Sequence, residues 1–342
     1  MKKLKFEILE ELINIDGVSG DEEKVRSYIQ KKIKPHVDEI KMDKLGNLIC
    51  LKKGKKPTIM LASHMDEIGL MVRKIDNAGR IFVSAVGGIS VLNVIGQTVE
   101  VAGTKSVKGV ITTKEISIDA DIEETPTMEE VYVDTGLTKK ELNKRGIGIG
   151  SYLSLERADH KIGNPDFIAG KALDDRIGCF VLLELARVLK KTKNEIFFVF
   201  TVQEEVGLYG AKVSAYTIEP DLAIAIDVSG SDDYNDDPTI ALGKGPILTM
   251  KDDEMIGDPC LNNWIRKTAK KKKIPIQLEV SNFGTTDALT ISISKGGIPT
   301  TAMGIGIRNI HSTHSIGSKK DMENLVKLLE AFCQNPPKDC VR

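Results

Sequence analysis

Three scarcities narrow the field before any motif is considered. Aromatic residues make up 5% of the 342, and Trp264 is the single tryptophan, so few platforms exist for stacking sugar rings. The five cysteines, Cys50, Cys179, Cys260, Cys333 and Cys340, are odd in number, scattered and never spaced as Cys-x-x-Cys. That pattern argues against a disulfide framework and a structural zinc knot, and predicts a reduced, cytoplasmic protein. Net charge is −1, which gives no global field for nucleic acid or an anionic membrane. No apolar run reaches the length of a membrane span, and the stretch from Met1 to Glu7 lacks the apolar core of a signal peptide. The one basic run, Lys270 to Lys273, ends before Pro275 and reads as a solvated helix end.

What remains is an ordinary soluble composition, 41% hydrophobic and 28% charged, in a chain long enough for one large domain and a smaller one. Leu4 to Ile13 reads as a helix with Leu4, Ile8, Leu12 and Ile13 on one face. Ser19 and Glu22 have capping-box spacing at the start of a second helix toward Ile33. Strands follow at Asn47 to Leu51 and Thr58 to Ala62. From about Ile75 to Ile162 short β-prone runs alternate with Gly, Asn and Lys, the texture of a small all-β unit. After Gly170 the α/β pattern returns: a helix over Asp174 to Lys190, a doubly covered strand over Glu195 to Val202, strands at Leu222 to Ile226 and Thr300 to Ile305, and a helix over Met322 to Phe332. The expected architecture is α/β, residues 1–72 and 163–342, interrupted by an inserted β domain over 73–162.

The acids and histidines fall at the ends of these strands. His64 and Asp66 follow the strand Thr58 to Ala62, Glu204 and Glu205 follow Val202, Asp227 follows Ile226, and His311 lies beyond Ile305. Open α/β sheets bind ligands outside the carboxyl ends of their strands, so a metal site is the economical explanation. Asp174 can join from the side. Blander readings exist for each: His64 and Asp66 as a solvated turn pair, Asp174 and Asp175 as helix-dipole partners, Asp227 as a cap. Adjacent acids after an apolar run are harder to dismiss, because burying Glu204 and Glu205 without a cation is costly. Carboxylates and imidazoles without thiolate suit Zn²⁺, Co²⁺ or Mn²⁺. On pattern alone either Glu204 or Glu205, and either His311 or His314, fills its place; Asp232, Asp233, Asp236 and Asp237 read as solvated loop acids.

Several segments resemble the tetrahedral (TET), glutamyl and deblocking aminopeptidases, proteins that have also carried the endoglucanase label. They are Ser63-His64-Met65-Asp66-Glu67-Ile68-Gly69, Gly170-Lys171-Ala172-Leu173-Asp174-Asp175-Arg176-Ile177-Gly178 and Thr201-Val202-Gln203-Glu204-Glu205-Val206-Gly207. Ile226-Asp227-Val228, Gly243-Lys244-Gly245-Pro246 and Thr286-Asp287-Ala288 join them, in the same order and spacing, from Leu9 to Phe332. The resemblance implies a metallopeptidase-type mixed sheet flanked by helices, with an inserted barrel or sandwich. It implies two divalent ions per subunit, Zn²⁺ or Co²⁺, with His64 and Asp227 on opposite metals, Asp174 bridging, and Glu205 and His311 completing the set. Glu204 becomes the general base and Asp66 the partner of His64. Asn309 stands where the family usually has Tyr, and Thr313 where Pro is common.

The function this implies is removal of N-terminal residues from short peptides, with no nucleic acid or membrane partner and a homo-oligomeric, dodecameric assembly. Deacylation of small N-acyl substrates by the same centre is the nearest alternative. Glycoside hydrolysis by two carboxylates such as Glu204 and Asp227 is another, opposed by the scarcity of aromatics.

Overall fold

The computed structural model describes residues 3–113, 125–156 and 162–342; His160 lies outside them. Two antiparallel strands, β1 (Glu39–Met42) and β2 (Leu48–Lys52), edge a ten-stranded mixed sheet. Its centre is β3 (Lys55–His64), and the chain then leaves for six consecutive strands. These are β4 (Gly69–Ile75), β5 (Ile81–Val86), β6 (Thr98–Val101), β7 (Val107–Thr112), β8 (Tyr132–Asp134) and β9 (Tyr152–Leu155). They close into an antiparallel barrel in the order β4-β5-β8-β7-β6-β9. Residues two apart point to one side of a strand. Leu70 with Val72, Ile81 with Val83, Val99 with Val101 and Leu153 with Leu155 therefore fill the barrel interior, all buried.

The chain re-enters the sheet through β10 (Phe167–Gly170), β11 (Asn194–Thr201), β12 (Leu222–Gly230), β13 (Ile247–Lys251), β14 (Gln277–Val280), β15 (Thr300–Arg308) and β16 (Ser315–Ser318). The main path runs β1-β2-β11-β3-β12-β15-β13-β14, with β16 joining β10 to β15. Strands β11, β3, β12 and β15 are mutually parallel, so their carboxyl ends share one edge. They are nearly continuous apolar runs because helices cover both faces. One face packs against α1 (Phe6–Leu12), α2 (Glu23–Ile33), α4 (Leu173–Val188), α6 (Pro259–Lys272) and α8 (Lys319–Gln334), around Phe180, Phe198, Phe200 and Phe332. The other holds α5 (Tyr209–Ile218) and α7 (Asp287–Ser292) over Met60, Ala62, Val199 and Ala223. The short α3 (Lys139–Lys144) belongs to the barrel, where Leu142 is buried in its core.

Two expectations need correction. Cys260 and Cys340 form a disulfide, joining the first turn of α6 to the C-terminal segment, while Cys50, Cys179 and Cys333 are free and buried. A separation of 80 residues carries no spacing signature, which is why scattered cysteines concealed a pair. Nor does Ser19 cap α2. The helix starts from Glu22 without a side-chain cap, and Ser19 instead donates to the buried carboxylate of Asp66 at 2.6 Å. Donation to a charged acceptor is a strong bond that holds the Ser19 side chain at Asp66. Among the described residues, no helix is long and apolar enough to cross a membrane.

Candidate metal centre

The shared carboxyl edge of the parallel strands gathers most of the predicted residues. His64 is the last residue of β3, Asp227 sits within β12, Glu204 and Glu205 occupy the turn after β11, and His311 follows β15. Asp174 enters from the side at the start of α4, where it and Asp175 leave helical geometry across a cis peptide bond. The two acids then diverge. Asp175 turns inward to accept from the Ser63 hydroxyl at 2.6 Å and the Gly178 amide at 2.9 Å. Asp174 faces the site.

Asp174 presents its two oxygens to different partners. Oδ1 lies 3.0 Å from His64 Nε2, and Oδ2 lies 3.2 Å from His311 Nε2. Around them form two donor groups, His64–Asp174–Asp227 and Asp174–Glu205–His311, each with ligand atoms within 4.8 Å of one another. Glu204 belongs to neither; its Oε2 stands 3.9 Å from His64 Nε2. His314 is turned away, with its Nδ1 2.5 Å from the Thr313 hydroxyl.

Asp66 lies fully buried beneath this cluster. One of its oxygens, Oδ1, lies 3.4 Å from His64 Nδ1 and accepts the Glu204 amide at 3.1 Å; Oδ2 accepts the Glu205 amide at 3.2 Å. A single carboxylate thus orients the imidazole and holds the turn carrying both glutamates. Burial raises the Asp66 carboxyl, but His64 and Ser19 outweigh it and hold the group below its usual range.

Crowding dominates the electrostatics. Burial pushes Glu204 well above the carboxylate range, with Asp287 and Glu205 adding to it; burial and Asp174 push Glu205 up to about 7. Asp227 is driven far upward by burial, then by Asp174 and Asp175. His311 rises to about 9, chiefly through Asp174. Burial lowers His64, yet Glu204, Asp174 and Asp66 together lift it well above the ordinary imidazole value. Asp174 is the exception, because its bonds to both histidines overcome burial and hold it low. Glu205 Oε1 is buried with no hydrogen-bond partner. Orphaned oxygens and raised carboxyls in one place are what a protein shows where cations balance the charge. The donor set of two imidazoles and three carboxylates fits divalent cations of the zinc or cobalt kind.

The sequence profile of the M42 glutamyl aminopeptidases matches residues 46–328. The chain belongs to that family. The chain is similar to the lysyl aminopeptidase of Pyrococcus furiosus, 33% identical over 96% of each chain. An aminopeptidase of Desulfurococcus kamchatkensis superimposes with a TM-score of 0.94 at 34% identity, covering 98% of this chain and 96% of that one. The TET1 peptidase of Pyrococcus horikoshii, which can assemble into a tetrahedron or a large octahedral shell, superimposes at 0.87 with 32% identity over 96% and 98% of the two chains. Membership of the M42 family supports a hydrolase of the aminopeptidase type, and divalent metals with it.

Some residues of the site escaped the sequence reading. Gly87 and Gly88, in the loop after β5, bring the barrel against Glu205 and His311. A Cβ on Gly87, where φ is +83°, would meet Glu205 Oε2 at 2.9 Å, and one on Gly88 would meet His311 Nδ1 at 3.0 Å. Asp287, fully buried, accepts from the Thr201 hydroxyl at 2.5 Å behind Glu204 and is pushed up to about 6 by burial. Thr286-Asp287-Ala288 had stood out as a segment, but nothing in it indicated a place.

Proposed function

We propose that the chain is a two-metal aminopeptidase that removes N-terminal residues from short peptides. The observation that carries this reading is Asp174, whose two oxygens serve two separate donor groups and so suit a bridging carboxylate. His64 and Asp227 would hold one ion, Glu205 and His311 the other. Two ions bound there would polarise the scissile carbonyl, acidify an attacking water and anchor the substrate amine.

The protein's own part follows from what Glu204 touches. It stands outside both groups, close enough to take a proton as the water oxygen bonds to the carbonyl carbon. It then returns that proton to the departing nitrogen as the C–N bond breaks. Burial that raises its proton affinity suits an acceptor that must later donate. Asp66 fixes the imidazole of His64 and the Glu204–Glu205 turn, so base and ligand keep a constant separation.

The same reading takes residues 1–72 and 163–342 as the catalytic unit and 73–162 as the insert. It takes the working state as a cytoplasmic homo-oligomer of twelve chains. The test combines elemental analysis with aminoacyl-p-nitroanilide turnover before and after chelation. Two Zn²⁺ or Co²⁺ per chain, with activity lost on chelation and restored by either ion, are expected. Full turnover in the stripped protein would overturn it. An N-acetylated anilide in the same plate separates deacylation from aminopeptidase action.

A further inference from the structure

The large sheet ends differently at its two edges. At one of them β1 carries Glu39 and Lys41, charges that discourage another strand from pairing there. At the other, the charged and amide side chains of β14 turn inward. Gln277 donates to the carbonyls of Ala241 and Gly245, and Glu279 accepts from the hydroxyls of Ser229 and Thr249. The alternate residues, Leu278 and Val280, point to the opposite face and are 42% and 67% exposed.

The backbone of β14 follows the same alternation. Gln277 and the following Ser281 donate their amides inward to the carbonyls of Pro246 and Lys251, each at 2.9 Å. Leu278 and Val280, out of step with them, direct N–H and C=O away from β13 toward the open side.

A groove of about 500 Å³ runs between this edge and α6. Ile274, Ile276 and Leu278 make one wall. The other is a helical stripe of Asn263, Arg266, Lys267 and Lys270, spaced to share one face of α6. No acid lines the groove, and among the described residues none of the three cations has an ion-pair partner. Lys270 lies in the last turn, where it complements the helix dipole; Arg266 and Lys267 lie a turn earlier, beyond that reach.

An open strand edge beside an aliphatic wall and a row of unpaired cations complements an extended acidic chain. We propose that β14 and α6 form a docking site for an extended segment of a partner polypeptide whose groove-facing side chains combine glutamate or aspartate with aliphatic residues. Its backbone pairs with Leu278 and Val280, its apolar side chains seat on Ile276 and Leu278, and its acids meet Arg266, Lys267 and Lys270. No aromatic ring lines the groove to stack a nucleobase, which favours a polypeptide over single-stranded nucleic acid. These side chains lie on the face of β14 turned away from Glu279, which lines the cavity of the metal-facing residues, so docking and turnover are separable.

The probe is the fluorescent, N-acetylated peptide Thr-Glu-Thr-Val-Thr-Glu-Thr-Val-Thr, its binding to the Co²⁺-loaded full chain read by anisotropy. Binding that weakens with salt is expected, and a version with Lys for Glu should not bind. Lys267→Glu with Lys270→Glu should weaken the acidic peptide about tenfold or more at low salt, and anilide turnover should be unchanged. Two further versions carry N-methyl groups either on the Thr amides or on the Glu and Val amides. Strand pairing tolerates the set whose N–H groups face solvent and is lost with the other. Equal effects of the two methylated sets, binding indifferent to the charge reversals, or equally tight binding of a thymidine oligonucleotide would each overturn the proposal. So would a change in the number of associated chains in Leu278→Lys by sedimentation, which would place a second copy on this edge.

Discussion

Glu204 and Glu205 are neighbours in sequence, both buried and both raised, yet the structure gives them different surroundings. Replacing each by Gln removes the charge while keeping the shape. Glu205 faces His311 at 3.6 Å inside a donor group, and its orphaned Oε1 has only a cation to satisfy it. Glu205→Gln should therefore drop metal content from two ions toward one. Glu204→Gln touches neither group and should keep both. Its cost falls on proton transfer, where a positioned general base contributes about 10²–10⁴-fold, or roughly 3–5.5 kcal/mol of barrier. Because burial already disfavours the Glu204 charge, the Gln variant should melt no lower than wild type without metal. Elemental analysis, steady-state kcat and a thermal melt, run on both variants, decide the matter. Turnover of Glu204→Gln within tenfold of wild type would refute the reasoning, and so would loss of metal from Glu204→Gln with retention in Glu205→Gln.

Three further outcomes are expected. Gly88→Ala places a Cβ at 3.0 Å from His311 Nδ1, so the imidazole must yield; metal affinity, read by competition with a chromogenic chelator, should fall by about tenfold or more. Cys260→Ser with Cys340→Ser opens a loop spanning 80 residues and should cost up to about 4 kcal/mol in denaturant unfolding, with thiol titration of the unfolded parent finding three free groups. In metal-free protein Glu205 and Asp287 titrate near 7 and 6 and His311 near 9, all above their unfolded values, so the folded state binds the extra protons. Their contribution is complete below the unfolded values and is lost as pH rises through the folded ones. Melting temperature should thus decline between about pH 4 and 9, and added divalent cation should flatten that slope.

Much of this was legible along the chain because parallel strands convert sequence position into spatial position. Each apolar run ends in an acid or histidine, and β11, β3, β12 and β15 bring those ends to one edge. The order of strands across the sheet was not legible, since pairing is set by packing of faces that look alike in sequence. Polar burial was also hidden. Lys171 binds Asp16 and Glu67 at 2.7 and 3.1 Å, and Arg176, fully buried, donates to the carbonyls of Met65, Leu12 and Ile15. The guanidinium of Arg176 thus ties α1 and the turn after it to the loop after β3. The expected cap at Ser19 fails for a similar reason: a capping box is a local pattern, and the hydroxyl is held by donation to Asp66, 47 residues away.

The order in which the site's parts are synthesised has its own consequence. His64 is made 247 residues before His311, and the loop bearing Gly88, against which that histidine packs, also precedes it. A ribosome-bound fragment ending before residue 311 holds an incomplete set of the proposed ligands. On the proposed ligand assignment, hydrolytic competence waits until residue 311 has emerged, so shorter nascent fragments cannot attack newly made proteins around them.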